Sequence, residues 1–377
     1  MVLKPILRKV GELQATHART IFLLAIVLSA FMALGVPRIR LQTDLSKELP
    51  SGVPTIELQD RIGEKFGDSD VFLIVISLDP DSDVEGRVQD IRDPRVLEMV
   101  VELHQLLEGE PEVSSVFSIA PALAQAGVPP SLEASKEMLG RIPQASQAFN
   151  RDYTATVVFA STDLGADEER VRSFMRNINE DMEAVRRPPG VKIGVTGTPV
   201  MRTTLMTLLV RDATFTILLS AAVILGLLVL LHGPTRGLLI FVPLIGAMIW
   251  LLGTMGWLGI PLSIATVGIG AMVLGLGVEY GVFVVKRYEE ERETGKSQLE
   301  TLQTILPGVG LAIFGSASTT TVGFLALLLA TMPMIQKMGA TLALGIVYSF
   351  IAAVIVNPAF IVVEESFMEK RRERNAG

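Results

Sequence analysis

The chain contains six long apolar runs, which leave few ways for it to fold. A membrane-crossing helix needs about 20 apolar residues, because the hydrocarbon layer is about 30 Å thick and each residue rises about 1.5 Å. Hydrophobic residues make up 49% of the 377 positions and are concentrated in these runs. The pattern predicts a polytopic α-helical membrane protein with six transmembrane helices. The runs are Thr20–Val36, Ala213–Leu231, Leu238–Trp257, Leu262–Val285, Pro307–Thr331 and Met338–Val363.

The first run also permits a second interpretation. It is short and follows a basic flank, which is typical of a secretory signal peptide. However, Ala33-Leu34-Gly35 would make a poor cleavage site, and five further spans follow. These two observations favour a retained membrane anchor.

Positive charges near the span ends predict the orientation, because Lys and Arg accumulate in cytoplasmic loops. Four basic segments fall on one side when six spans are counted: the N-terminal tail, the loop at Arg236, the loop that starts at Lys286 and the tail that starts at Lys370. We therefore expect a multi-pass protein of the cytoplasmic membrane with both termini in the cytoplasm. The predicted organisation is a tail at 1–19, a span at 20–36, an extracytoplasmic domain at 37–211, five spans within 212–363 and a basic tail at 364–377.

The long segment between the first two spans reads as an acidic α+β domain. It holds 19 Lys and Arg against 28 Asp and Glu over residues 38–211, which argues against binding to nucleic acid. The chain has no cysteine, so no disulfide can stabilise this domain. The order of elements is βαβ, an insertion, and βαβ, which predicts an extracytoplasmic ferredoxin-like domain. The predicted strands are Val71–Leu78, Glu112–Ile119, Tyr153–Ala160 and Val191–Thr196, and the helices run from Asp93 to about Glu108 and over Asp167–Arg187.

Two further parts of this segment carry predictions. The insertion at 120–150 contains a short helix near Ser131–Gly140 and has no assigned role. The helix predicted over Val200–Arg211 runs without a breaker into the second span. A continuous helix would couple movement of the domain to the membrane, and a glycine pair inserted near Thr207 should then change activity.

Glu279 is the only charged residue in the fourth run. A carboxylate at the centre of a membrane helix costs about 2.5–3.5 kcal/mol on insertion scales, so such residues usually face a bundle interior and carry a function. Glu279 precedes Lys286, the expected membrane edge, by seven residues. That spacing places the carboxylate about 10 Å inside the membrane. The functional hypothesis is proton or ion handling, and the alternative is a carboxylate that pairs with Lys286 or Arg287 at the rim.

Small and hydroxyl residues accompany this acid. Gly277 and Gly281 have the small-xxx-small spacing that lets two membrane helices approach closely, and local bending is a further hypothesis. The fifth span holds five hydroxyl residues within six positions, which favours a relay or ion-binding face over hydroxyls bonded to their own helix. The candidate relay residues are Glu279, Tyr280, Ser316, Thr319 and Thr320, and the candidate packing or hinge residues are Gly275, Gly277, Gly281 and Gly323. Asn357-Pro358 predicts a kink or a helix end in the sixth span.

Signatures of enzymes and cofactors are weak. The three histidines are scattered, so we expect no metal site. Thr294-Gly295-Lys296-Ser297 is similar to the end of a P-loop, but Glu290 occupies the position of its first glycine. We therefore expect no nucleotide, no cofactor and no enzymatic activity, and transport would have to use an ion gradient.

Several segments together resemble one half of a resistance–nodulation–division (RND) transporter. The closest branch is the hydrophobe exporter and mycobacterial-large-membrane-protein (MMPL) group, and the resemblance covers nearly the whole chain. The matching segments are Thr43-Asp44-Leu45-Ser46-Lys47-Glu48-Leu49-Pro50, Phe66-Gly67-Asp68-Ser69-Asp70, Gly197-Thr198-Pro199, Gly275–Tyr280 with Arg287-Tyr288, and Ser318–Phe324.

The resemblance implies that Glu279 is the proton-relay acid and Tyr280 its neighbouring tyrosine. Many members have aspartate at the acid position, so sodium remains an alternative coupling ion. Full members carry two six-span halves, which implies a homodimer here. The exterior domain looks too short to dock an outer-membrane channel, and we expect no such partner.

The functional prediction is a secondary active, proton-driven exporter of hydrophobic or amphiphilic molecules, with lipids as candidates. Membrane lipids and a hydrophobic substrate are then its expected partners. Two alternatives stay open: a non-transporting lipid or sterol-type sensor, and an ion-driven accessory subunit of protein export.

Overall fold

The structure is a computed structural model that describes residues 3–43, 48–50, 53–54, 57–58, 61, 70–142, 145–165 and 167–376. The stretches 44–47 and 66–69, which carry part of the family resemblance, lie outside these described residues. The chain divides into two compact units, one formed by residues 1–50 and 208–377 and the other by residues 51–207. We call them the helical unit and the sheet unit.

The helices and strands follow one another in this order: α1 (Leu3–Ala33), β1 (Asp70–Leu78), α2 (Pro94–Gly109), β2 (Val113–Phe117), α3 (Ala120–Ala126), α4 (Leu132–Gly140), α5 (Ala145–Ala148), β3 (Ala155–Thr162), α6 (Glu168–Ala184), β4 (Val191–Gly197), α7 (Thr198–His232), α8 (Pro234–Leu258), α9 (Ile269–Glu293), α10 (Gln298–Ile305), α11 (Leu311–Leu325), α12 (Pro333–Ile351) and α13 (Asn357–Ala376). Two π-helical segments, Leu306–Gly310 and Ala352–Val356, join α10 to α11 and α12 to α13.

The sheet unit contains the four predicted strands and both predicted helices. The strand order is β2-β3-β1-β4 with antiparallel neighbours, which is the order of a split βαβ sandwich. Alternate residues of β1 face the helices, and Phe72, Ile74 and Ile76 are fully buried. Phe72 meets Phe174 of α6 edge to face, with ring centroids 5.4 Å apart. The predicted arrangement of this domain is therefore confirmed.

The insertion between β2 and β3 forms three short helices. The helix expected near Ser131–Gly140 is present as α4, and the Ser131 hydroxyl accepts a hydrogen bond from the Ala134 backbone N–H. Serine is a favoured N-cap because its oxygen satisfies an N–H that has no intrahelical partner.

Six helical stretches in the part of the chain that the structure describes are long and apolar enough to cross a membrane. The six predicted spans are therefore present as helices, most of them longer than predicted. The start predicted for the fourth span at Leu262 was wrong, because the helix begins at Ile269 and a turn precedes it. The stretches are Lys4–Arg38, Thr198–His232, Pro234–Leu258, Ile269–Glu293, Gln298–Leu329 and Pro333–Glu369. The segment predicted as an N-terminal tail is helical from Leu3 and is kinked at His17 (φ −123°, ψ 28°). The helix expected to continue into the second span does so, as α7.

In the helical unit, α9 packs between α8 and α12, while α1 packs against α8, α10 and α13. The kink or helix end expected at Asn357-Pro358 takes a different form. The helix continues past Pro358 to Ala376, and the disturbance is the π-helical segment before Asn357. Proline has no N–H, so the carbonyl four residues earlier, that of Val354, loses its usual donor. The helix therefore widens locally into a π-helical turn and does not end at Pro358.

Candidate functional site

Glu279 lies on an exposed face of α9. Gly277 and Gly281, two residues to either side, face the bundle, and two residues correspond to about 200° around a helix. The Glu279 carboxylate is therefore turned away from the packed side. Among the residues that the structure describes, none forms an ion pair or a hydrogen bond with this carboxylate. A single chain thus leaves the only charge of the fourth apolar run uncovered.

Tyr280 is the buried neighbour of this acid, with 1% of its surface exposed. Its side chain lies close to Ser316 and Thr320 of α11 and to the neighbouring Glu279. The fold therefore brings four of the five candidate relay residues into one cluster. Because the Tyr280 hydroxyl can both donate and accept a hydrogen bond, it can link the acid on α9 to the hydroxyls on α11.

Thr319 is placed differently from the other hydroxyl candidates. It is exposed, and its hydroxyl donates to the carbonyls of Gly315 (3.1 Å) and Ser316 (2.9 Å) in its own helix. This is the back-bonded arrangement that competes with a relay role. In a single chain, Thr319 contributes an exposed hydroxyl beside the cluster.

The candidate glycines fall into two groups. A Cβ added at Gly277 would lie 2.5 Å from Ser349 Oγ, and one added at Gly281 would lie 3.0 Å from Ile240 Cγ2. These two glycines allow α9 to approach its neighbours closely, as the spacing predicts. A Cβ added at Gly275 or Gly323 would meet no described atom within 4 Å.

The pairing of Glu279 with rim cations, which was the alternative hypothesis, is not observed for Arg287. Its guanidinium instead donates to Glu290 (3.0 Å) and Glu291 (2.6 Å) on the same helix. Arg287 is thus engaged beyond the end of the apolar run, while Glu279 stays inside it.

A cavity of about 390 Å³ adjoins the cluster between α9 and the fifth span. Tyr280 and Ser316 contribute to it, and Lys286 and Arg287 bring positive charge to the same space. Its remaining walls are largely apolar, and they are formed by Phe283, Val309, Ala312 and Ile313 together with Glu290. The arrangement can admit water or an amphiphile to the cluster.

Side chains outside the predicted set also build this region. Ser349 and Asn357 are buried against the glycine face of α9, and Gln14 is fully buried against the sixth span. One sequence feature pointed to this region: the polar residue Asn357 stands beside Pro358 in an apolar span. Within the described ranges, no group of three or more His, Cys, Asp or Glu could hold a metal ion.

Comparison with known proteins gives consistent matches. Residues 49–376 match the MMPL family. The membrane protein MJ1562 of Methanocaldococcus jannaschii is 36% identical over 374 residues, which cover 97% of this chain and 95% of that protein. The probable transport protein MmpL9 of Mycobacterium tuberculosis is 29% identical over 231 residues, covering 53% of this chain and 22% of MmpL9.

The siderophore exporter MmpL5 of the same species is 27% identical over 213 residues, which are 50% of this chain and 21% of MmpL5. The chain thus matches a minor part of each of these two mycobacterial proteins, and nearly all of the methanogen protein. The family match includes the sheet unit and five of the six spans. The chain therefore belongs to the MMPL family.

Proposed function

We propose that this protein is a proton-driven secondary transporter that exports hydrophobic or amphiphilic molecules, with lipids as the leading class. One observation carries the proposal. Glu279, an acid within a membrane span, lies beside the buried Tyr280, which lines the same cavity as the Ser316 hydroxyl of the fifth span. A carboxylate that gains and loses a proton changes its charge, and a charge change alters which helix packing is favoured.

The coupling step follows from this geometry. Protonation of Glu279 would remove its charge and leave a hydroxyl that can donate to Tyr280 or water. Release of the proton on the other side of the membrane would restore the negative charge of Glu279 and reverse the change in helix packing. Since α9 packs against its neighbours through Gly277 and Gly281, no side chain at these two positions has to be displaced when α9 shifts.

The orientation belongs to the same proposal. Lys286, Arg287 and the basic C-terminal segment would face the cytoplasm, with both termini there. The sheet unit would then lie outside the cytoplasmic membrane, where its acidic ferredoxin-like domain could accept substrate from the outer leaflet. MmpL5, a siderophore exporter, supports export as the direction.

A second copy of the chain completes the site in this proposal. An uncovered carboxylate in lipid costs about 2.5–3.5 kcal/mol, and its neighbours on the same face are large exposed apolar side chains. Met272 is 52% exposed and Phe283 53% exposed. A homodimer that packs these faces together would remove Glu279 from lipid and place two acids near the symmetry axis.

The natural absence of cysteine allows a direct test of this dimer. Thr319→Cys should form a disulfide-linked dimer in membranes on mild oxidation, because Thr319 is exposed beside the cluster that the second copy would cover. Leu24→Cys, on the exposed side of α1, is the matched control. Efficient cross-linking of the control with none at Thr319 would place the interface elsewhere.

The transport test compares three strains: empty, wild type and Glu279→Gln at matched expression. Untargeted lipid and amphiphile profiling of cells and medium should show a species that only the wild type exports. That species would name the substrate class. Equal export by both proteins would mean that Glu279 is not the coupling group, and binding or sensing would become the better interpretation.

A further inference from the structure

A small cavity with two polar side chains lies behind α9, on the opposite side from Glu279. Its volume is about 10 Å³, and Asn357 and Ser349 contribute its polar side chains. Asn357 is fully buried and Ser349 is 2% exposed. The remaining walls are Ile240, Pro243, Leu244, Gly277, Gly281, Ala352 and Ala353.

The polar atoms point at the glycine face of α9. A Cβ added at Gly277 would lie 2.5 Å from Ser349 Oγ, and one added at Gly281 would lie 3.4 Å from Asn357 Nδ2. The two glycines therefore keep open the space into which both side chains are directed.

No described residue supplies a hydrogen-bond partner for Asn357 Oδ1, Asn357 Nδ2 or Ser349 Oγ. Buried polar groups in native proteins are almost always paired, with protein or with ordered water. An unmade hydrogen bond is costly in a low-dielectric interior, and this site has three such atoms close together. A ligand that both donates and accepts would satisfy them.

The π-helical segment explains why Asn357 is turned inward. One extra residue in a helical turn advances the following side chains by about 100° relative to an uninterrupted α-helix. Asn357 is the first residue after this segment, and Pro358 follows it. The irregular turn therefore directs a polar side chain into the bundle at this position.

We infer that this cavity binds one water molecule, which bridges Asn357 and Ser349. About 10–15 Å³ is the space that one water needs, which matches the cavity. A monovalent cation fits less well, because Asn357 Nδ2 is a donor and the walls contain no carboxylate. The water is a hydrogen-bonded link between the two ends of the π-helical segment, and it lies against the glycine face of α9. This assignment does not depend on the transport activity.

Cryo-electron microscopy of the wild-type protein in lipid nanodiscs, at a resolution that shows ordered water, tests the inference directly. Two samples are needed, one in sodium chloride and one in choline chloride. Density within hydrogen-bonding distance of Asn357 and Ser349 in both samples is expected. Density in neither sample, or only with sodium, would overturn the assignment.

A double-mutant cycle provides an independent test. Asn357→Leu and Ser349→Ala should each shift the thermal unfolding midpoint, and a shared water predicts that their effects are not additive. Once one side chain is removed, the water loses a partner and the second substitution matters less. Strictly additive shifts would show that no ligand is shared between the two residues.

Discussion

Gln14 Nε2 donates a hydrogen bond of 2.8 Å to the Val354 carbonyl, 340 residues away in the chain. In an α-helix this carbonyl would accept from residue 358, but Pro358 has no N–H. Gln14 also donates to the Ile355 carbonyl at 3.2 Å. A side chain of α1 therefore replaces the backbone donor that a proline removes, and it stabilises the π-helical segment of the sixth span.

Gln14→Met should destabilise the helical unit by about 1–3 kcal/mol, because it leaves the buried Val354 carbonyl without this donor while keeping a similar volume. Thermal unfolding of the purified protein in detergent measures the loss. Thr16→Ala on the same helix is the control, since the Thr16 hydroxyl is exposed and bonds only to its own helix and to His17.

Pro358→Ala gives a second, more specific readout of the same relationship. Alanine restores an N–H that can donate to the Val354 carbonyl, so Gln14→Met should cost less in the Pro358→Ala background. An equal loss in both backgrounds would mean that the proline is not the reason why Gln14 is needed.

The sequence predicted the spans and the sheet unit because their signals are local. Apolar runs of membrane length and alternating strands such as Val71–Leu78 carry their own periodicity, and Ser131 and Asp93 mark helix starts by capping chemistry. Element boundaries shifted in both directions. The helix expected over Asp167–Arg187 ends at Ala184, and α1 starts at Leu3 instead of near Thr20.

The site was less predictable because it depends on contacts between distant residues. Glu279 stood out as a charge in an apolar run, and the hydroxyl cluster pointed to Ser316 and Thr320. The donor to the Val354 carbonyl could not be predicted, because Gln14 lies in a different helix and a polar residue near a span end has many ordinary explanations. Similarly, glycine spacing did not reveal that Gly277 faces Ser349 while Gly275 faces open space.

Gly277→Ala and Gly275→Ala form a matched pair on one helix. The methyl group at position 277 would approach Ser349 Cβ to 2.8 Å and Leu244 Cδ1 to 2.9 Å, so we expect a destabilisation of about 1–3 kcal/mol. At position 275 the methyl group meets open space, and the better helix propensity of alanine should leave stability unchanged or raise it by up to about 1 kcal/mol. Thermal unfolding in a monomerising detergent compares them. A loss at Gly275 as large as that at Gly277 would contradict the open space assigned to position 275.

Arg202 connects the start of α7 to the rest of the sheet unit. It is 5% exposed, and its guanidinium donates to the Gly165 carbonyl (2.6 Å) and pairs with Glu168 (3.3 Å) and Asp70 (3.5 Å). Arg202→Met should destabilise the sheet unit by about 3–5 kcal/mol, because it removes the cation from two largely buried acids. Hydrogen–deuterium exchange of β1 and α6 peptides reports the loss.

Arg172→Met is the control for this prediction. Arg172 pairs with Glu169 at 3.3 Å, but both side chains are mostly exposed, and such pairs contribute about 1 kcal/mol or less. Similar losses from the two substitutions would show that burial does not decide the contribution of Arg202.

The sheet unit should lose stability in acid through Asp90. The Arg92 guanidinium donates to this carboxylate at 2.6 and 2.9 Å, and this hydrogen bonding is the main reason why the pKa of Asp90 lies below its ordinary value of 3.8. Lys136, 3.5 Å away, acts in the same direction. A folded-state pKa below the unfolded one means that the stabilisation is complete above about pH 4 and is lost as the pH falls through the folded value.

Asp90→Asn should therefore lower stability by about 0.5–1 kcal/mol at pH 7, an amount typical of a partly exposed pair. The difference from the wild type should shrink below about pH 4, since the wild-type carboxylate becomes protonated and then resembles the amide. Hydrogen–deuterium exchange of α2 peptides at several pH values, corrected for the intrinsic exchange rate, follows the difference. The exposed Asp152→Asn is the control, and a wild-type advantage over Asp90→Asn that persists unchanged to pH 2 would contradict the assignment to this carboxylate.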